Sequence, residues 1–180
     1  MQDEAKLLTQ LKLDDSKELA FKTLVKRYKE RLYWHIRKIV ISHDDADDVL
    51  QNTFIKIFRN IDKFKGDSKL YTWMYRIATN ESITFLNSKA KRNQVSNETL
   101  NEIALQNLVA DVYFEGDEIQ LKLQKAIAQL PRTQQLVFNM RYFDTIKYKD
   151  MSEILETSEG ALKASYHIAV KKIKAYLNAH

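Results

Sequence analysis

A chain of 180 residues with 44% hydrophobic and 29% charged residues has enough apolar material for one domain or two small ones. It holds one proline and three glycines, too few turn-formers for a many-stranded sheet, and so an all-α fold is expected. The absence of cysteine excludes disulfides, thiolate metal sites and a thiol nucleophile. With no bilayer-length apolar run and a charged, unsignal-like amino end (Met1 to Asp15), a cytoplasmic protein without direct membrane contact is expected.

The net charge of +5 is unevenly spread. Residues 1–92 carry 19 Lys and Arg against 13 Asp and Glu, and residues 119–180 carry 10 against 5. Between them, residues 93–118 hold no Lys or Arg and six acids: Glu98, Glu102, Asp111, Glu115, Asp117 and Glu118. This divides the chain into two small helical domains, 1–92 and 119–180, joined by a flexible acidic linker at 93–118. Basic blocks with interleaved apolar residues point to a polyanion, nucleic acid before membrane.

In chain order, Phe21, Leu24, Val25, Tyr28, Leu32 and Ile36 share one face of a first long helix. Ser42-His43-Asp44-Asp45 then supplies capping residues for a second, with Ala46, Val49, Leu50, Ile57, Phe58 and Ile61 at core spacing. The acids from Asp44 to Asp48 point around that helix rather than to one focus. They suit a helix amino terminus or a protein-docking surface better than a metal or catalytic site.

Lys63 to Ser68 reads as a loop around Gly66, followed by a helix from about Leu70 through Asn87. From Phe64 to Asn80 basic and aromatic residues alternate, which suits single-stranded nucleic acid: cations track phosphates and ring faces receive unstacked bases. The bland alternative places Tyr71, Trp73 and Tyr75 in a bundle core.

Beyond the linker, Ile119, Leu123, Ile127 and Leu130 mark a helix, and Pro131 with Thr133 opens the next. A short helix from Lys147 to Leu155, a turn at 156–160 capped by Thr157 or Ser158, and a longer helix with Leu162, Tyr166, Ala169 and Ile173 inward read as a helix-turn-helix. Its second helix would enter a major groove, with Lys163, His167, Lys171 and Lys174 outward.

The run Asp44 to Phe54, the string Trp73-Met74-Tyr75-Arg76-Ile77-Ala78 with Asn80, Leu130-Pro131 and Ser158-Glu159-Gly160 follow in fixed order. Together they resemble a bacterial RNA polymerase sigma factor of the extracytoplasmic-function (ECF) kind, over about residues 20–92 and 119–178. The resemblance implies that residues 1–92 are sigma region 2 and residues 119–180 region 4. The implied function is to bind core RNA polymerase and direct promoter recognition, strand opening and initiation, with no catalytic residue, metal or cofactor.

The resemblance also implies a set of contacts. Asp47, Asp48, Gln51, Asn52 and Phe54 would dock on the clamp helices of the largest polymerase subunit, and region 4 would meet the flap region. Phe64, Lys65, Ser68, Lys69, Tyr71, Trp73, Arg76 and Asn80 would take the −10 element and its non-template strand, with Phe64, Ser68, Lys69 and Asn80 around a flipped base and Arg76, Lys89, Lys91 and Arg92 favouring phosphates. Ser158, Glu159, Lys163, Ala164, His167 and Lys171 would read the −35 duplex, and the acidic linker would thread a basic polymerase channel. An anti-sigma factor is the further partner implied. The chain departs from the family's Arg-rich usage in the recognition helix and, after Asn80, in Glu81 to Asn87. Fewer bidentate guanine contacts are then possible, which shifts weight to phosphate anchoring and DNA shape.

Overall fold

The computed structural model describes residues 2–108 and 118–179. The helices are α1 (Gln2–Leu11), α2 (Asp14–Val40), α3 (His43–Asn60), α4 (Leu70–Asn93), α5 (Asn97–Leu108), α6 (Glu118–Ala128), α7 (Arg132–Tyr142), α8 (Tyr148–Leu155) and α9 (Glu159–Ala179). A 3-10 turn, Ile61–Lys63, follows α3, and no strand occurs among the described residues.

Local chemistry sets the boundaries. The Ser42 hydroxyl accepts from the Asp45 amide at 3.4 Å, and Asp44 and Asp45 sit in the first turn of α3, where the helix dipole favours negative charge. Gly66 lies at φ +83°, a conformation that only glycine adopts without strain, and it lets the 64–69 loop reverse before α4. Helix α4 ends at Gln94, whose left-handed backbone returns its N–H to the carbonyls of Ala90 and Lys91. Ser158 caps α9 by accepting from the Ala161 amide at 3.3 Å, which selects it over Thr157.

Helices α2, α3 and α4 pack as a bundle around Leu24, Leu32, Ile36, Ile57, Leu70, Met74 and Ala78, all essentially without exposure. The expected apolar stripes of α2 and α3 thus face one another. Tyr75 also belongs to this core, whereas Tyr71 and Trp73 are half-buried. Helix α1, with no counterpart in the sequence reading, adds Leu7 and Leu11 to the same cluster. Within the stretch read as linker, α5 buries Leu100 and Leu105, while Asp111, Glu115 and Asp117 lie outside the described residues.

The carboxy-terminal helices contribute to two apolar clusters. Ala126, Ile127, Leu130, Phe138, Ala169 and Ile173 form one of their own. Leu136, Val137, Met140, Met151, Ile154 and Leu162 instead continue the amino-terminal core, so the two halves share an apolar seam along α4–α8 and α2–α7. Leu32→Ala, at the centre of the bundle, is expected to destabilise by about 2–5 kcal/mol. The check is a lower urea midpoint at unchanged slope.

Candidate nucleic-acid interface

The loop of residues 64–69 and the first turns of α4 border a cavity of about 560 Å³. Phe64 and Trp73 form its aromatic wall, their ring centroids 5.3 Å apart, and Phe64 is buried while Trp73 is half-buried. Lys63, Lys65 and Arg76 line it together with Ser68, Thr72 and Ser152, and Asp67, Glu153 and Glu156 add carboxylates. Two contacts from the amino end brace the loop: Lys12 Nζ donates to the Phe64 carbonyl at 2.9 Å, and Lys17 pairs with Asp62 at 2.6 Å. An open slot with an aromatic wall and surrounding cations suits an unstacked base with its phosphates outside.

The structure brings the expected −10 residues Phe64, Lys65, Ser68, Lys69, Tyr71, Trp73 and Arg76 to this one end of the bundle, and Asn80 is exposed one turn beyond Arg76. Lys89 pairs with Asp45 at 2.6 Å and so also ties α4 to α3, whereas Lys91 and Arg92 are exposed.

On α3, Asp48, Gln51 and Asn52 are exposed together with Ile55. Asp47 is half-buried, with His43 Nε2 at 3.5 Å from its carboxylate. Phe54 turns into the core, edge-on to Phe21 at 6.2 Å, so the apolar anchor displayed on this face is Ile55. Alternation of burial along one helix turn decides this, and a short motif does not reveal it.

In the helix-turn-helix, Ser158 at the cap and Glu159, Lys163, Ala164, His167 and Lys171 along α9 are all exposed. Lys163 lies 3.8 Å from Glu159 and over the Tyr148 ring at 5.6 Å, so this cation is steered by its neighbours. Among the described residues no group of three or more His, Asp or Glu could hold a metal, and no helix is long and apolar enough to cross a membrane.

A second cluster joins the two halves, and the sequence reading missed it. Asp150 on α8, buried, accepts from Lys69 Nζ at 3.1 and 3.2 Å and from the Tyr71 hydroxyl. Glu156 accepts from Arg76. Asp144 meets His35 Nδ1 at 2.9 Å and also accepts from Lys38, while His35 Nε2 lies 2.9 Å from the Thr79 hydroxyl. Burial raises the Asp144 carboxyl, but His35 and Lys38 outweigh it and hold it below its ordinary 3.8. Burial acts likewise on Asp150, and the Tyr71 hydroxyl with Lys69 and Lys147 again brings it below 3.8. The Asp150 hydrogen bond raises Lys69, and burial, then Asp144, pushes the Tyr75 phenol up to about 12.

A carboxylate with a depressed value stabilises the fold at neutral pH and stops doing so as the pH falls through that value. The difference in Tm between the protein and Asp144→Asn is therefore expected to close below pH 3.8. His35, Lys38 and Tyr75 are the titratable groups facing that carboxylate.

Comparison with known proteins bears on all these surfaces. The Sigma-70 region 2 family matches residues 24–92, and the Sigma-70 region 4 family matches residues 120–173. The ECF RNA polymerase sigma-E factor of Salmonella typhimurium is 30% identical over 158 residues, covering 81% of this chain and 80% of that protein. The chain belongs to the ECF RNA polymerase sigma factors.

The sigma-H factor of Pseudomonas aeruginosa is 29% identical over 161 residues, covering 81% of this chain and 79% of the other. CnrH, solved in complex with the cytosolic domain of CnrY, shares the fold at TM-score 0.71 and 21% identity, covering 98% of this chain and 97% of that one. RpoE from Bartonella quintana, solved with the anti-sigma factor NepR, shares it at TM-score 0.68 and 19% identity, covering 88% and 96%. As an ECF sigma factor the protein directs promoter-specific initiation by RNA polymerase. The 64–69 loop, the aromatic wall and the cations of the cavity thus fall in region 2, whereas Ser152, Glu153 and Glu156 of its other wall and the helix-turn-helix fall in region 4.

Proposed function

We propose that this sigma factor opens promoters with the 64–76 segment, and that the carrying observation is the Phe64–Trp73 slot ringed by Lys63, Lys65 and Arg76. A base extruded from the non-template strand stacks on Trp73, and Lys65, Lys69 and Arg76 take its flanking phosphates. Extrusion costs a few kcal/mol, which stacking and edge hydrogen bonds offset. Residues 1–92 form the −10 module, residues 93–118 the linker through the polymerase channel, and residues 119–180 the −35 module.

Asp48, Gln51, Asn52 and Ile55 form the docking face for the clamp helices, with Asp47 at its edge and Phe54 supporting it from the core. Region 4 meets the flap region, and Ser158, Glu159, Lys163, Ala164, His167 and Lys171 face the −35 major groove. The protein contributes no chemistry of its own, uses no cofactor, works in the cytoplasm and is restrained by an anti-sigma factor.

Two weak readers act together only when core polymerase fixes their spacing, because linkage converts the second contact into an intramolecular one. A gel-shift titration with promoter duplex tests this. Tight, sequence-specific binding is expected only with core present, and a nanomolar specific footprint by the free protein would contradict it.

A further inference from the structure

The three ion-pair groups between the halves share one polarity. Every carboxylate comes from the carboxy-terminal module (Asp144, Asp150, Glu156), and every side chain hydrogen-bonded to it comes from the amino-terminal one. Lys69, Tyr71 and Arg76 are among the groups assigned to the melted strand. Ser152, Glu153 and Glu156 of α8 and the residue after it complete the wall of the cavity beside Trp73. Asn139 adds a hydrogen bond from its side-chain amide to the Lys38 carbonyl at 3.2 Å. Below these pairs runs the shared apolar seam, with Met140, Met151 and Ile154 buried in the amino-terminal core.

A carboxylate oxygen and a phosphate oxygen make the same charge-assisted hydrogen bonds to Lys, Arg and Tyr. They cannot both hold Lys69 and Arg76 at once. A single strand threading past Trp73 would also meet Glu153 and Glu156, two negative charges at the cavity wall.

We propose that region 4 latches the −10 loop shut in the free protein, with Asp150 and Glu156 occupying the places that DNA takes after opening and Asp144 anchoring region 4 to α2 through His35 and Lys38. This rests on the assignment of the 64–76 segment to the single strand. The latch is a competitive device: whatever separates α8 from α4 frees the loop, and a strand that captures the loop releases region 4 for its own duplex. The pairs set the orientation and the seam supplies adhesion, so neutralising the carboxylates shifts the balance without destroying either module's core.

The test uses the full chain, whose lack of cysteine lets spin labels be placed on Lys29→Cys and Lys172→Cys alone, both exposed and outside every proposed contact. A single narrow distance distribution is expected for the free protein, broadening when a labelled random-sequence 20-nucleotide DNA single strand is bound. The variant Asp144→Asn, Asp150→Asn, Glu156→Gln should broaden it without DNA and bind that strand at least tenfold more tightly. A control with the same change in charge, Asp15→Asn, Glu18→Gln, Glu30→Gln, should do neither. Equal tightening in the control, or an unchanged distance in the DNA-bound parent protein, overturns the latch. Should the triple variant misfold, the parent's DNA titration alone decides. Transcription with core polymerase separates the two ideas: initiation with no latch effect overturns the latch only, and no initiation by the parent protein overturns the strand assignment beneath it.

Discussion

Asp48→Lys is expected to weaken binding to core polymerase at least tenfold while leaving the fold intact. Asp48 is exposed on α3 beside Gln51, Asn52 and Ile55, in a stretch with Asp44, Asp45 and Asp47 nearby. An acidic, polar face with one apolar anchor recruits a basic partner surface, and like charges brought together at such an interface cost several kcal/mol. Tenfold corresponds to only about 1.4 kcal/mol, so even a partly screened contact exceeds it. The internal consequence is small, because exposed substitutions away from caps and cores change stability by about 0.5 kcal/mol or less. Gel filtration of the variant with core polymerase checks the loss, and an unaltered thermal melt shows that folding is not its cause. Asn52→Ala should fall between the two.

The second large effect lies at the slot. Trp73→Ala removes the half-buried ring of the aromatic wall, and base–aromatic stacking is worth about 1–3 kcal/mol. That converts to a drop of about 5- to 150-fold in formation of the open complex. Core binding should be unchanged, because the proposed docking face lies on α3, whereas Trp73 lies on α4 against Phe64 of the 64–69 loop. Trp73→Phe keeps a ring beside Phe64 and should recover most of the activity. Permanganate footprinting of unpaired thymines reads the melted state directly. Strand opening by Trp73→Ala equal to that of the parent protein would show that stacking at this position carries nothing.

The two effects draw on features that were unequally legible in the sequence. The helices α2, α3, α4 and α9 follow from apolar residues at spacings of three and four, and their inward faces are the ones that the spacing marks. Helix α1 is not legible because only Leu7, Leu8 and Leu11 hold it to the core, among charged neighbours. Helix α5 is not legible because an acidic, Asn-rich stretch without cations reads as linker, although Leu100 and Leu105 find a surface to cover. Phe54 shows the limit of a motif at single-residue scale: one step along α3 separates a core ring from an exposed isoleucine.

The seam between the modules had no local signature. Asp150 follows Lys69 by 81 residues and Asp144 follows His35 by 109, and no periodicity in either segment announces the partner. His35 and Lys38 read as ordinary members of a long amphipathic helix. Only the three-dimensional arrangement shows that one face of α2 and the start of α4 meet three carboxylates of one sign. Pairing at such separations is set by how whole modules dock, which depends on the apolar seam of Met140, Met151 and Ile154 as much as on charge.

In the proposed function one chain places two modules on two promoter elements through core polymerase, with region 2 trapping the opened strand. In vitro transcription with purified, sigma-free core polymerase on a pool of genomic promoter fragments tests it most directly. Specific start sites are expected only when the protein is added, sharing two upstream elements at a fixed spacing, with Trp73→Ala reducing all of them together. Absence of specific initiation, with the protein also failing to co-purify with core polymerase, would contradict it.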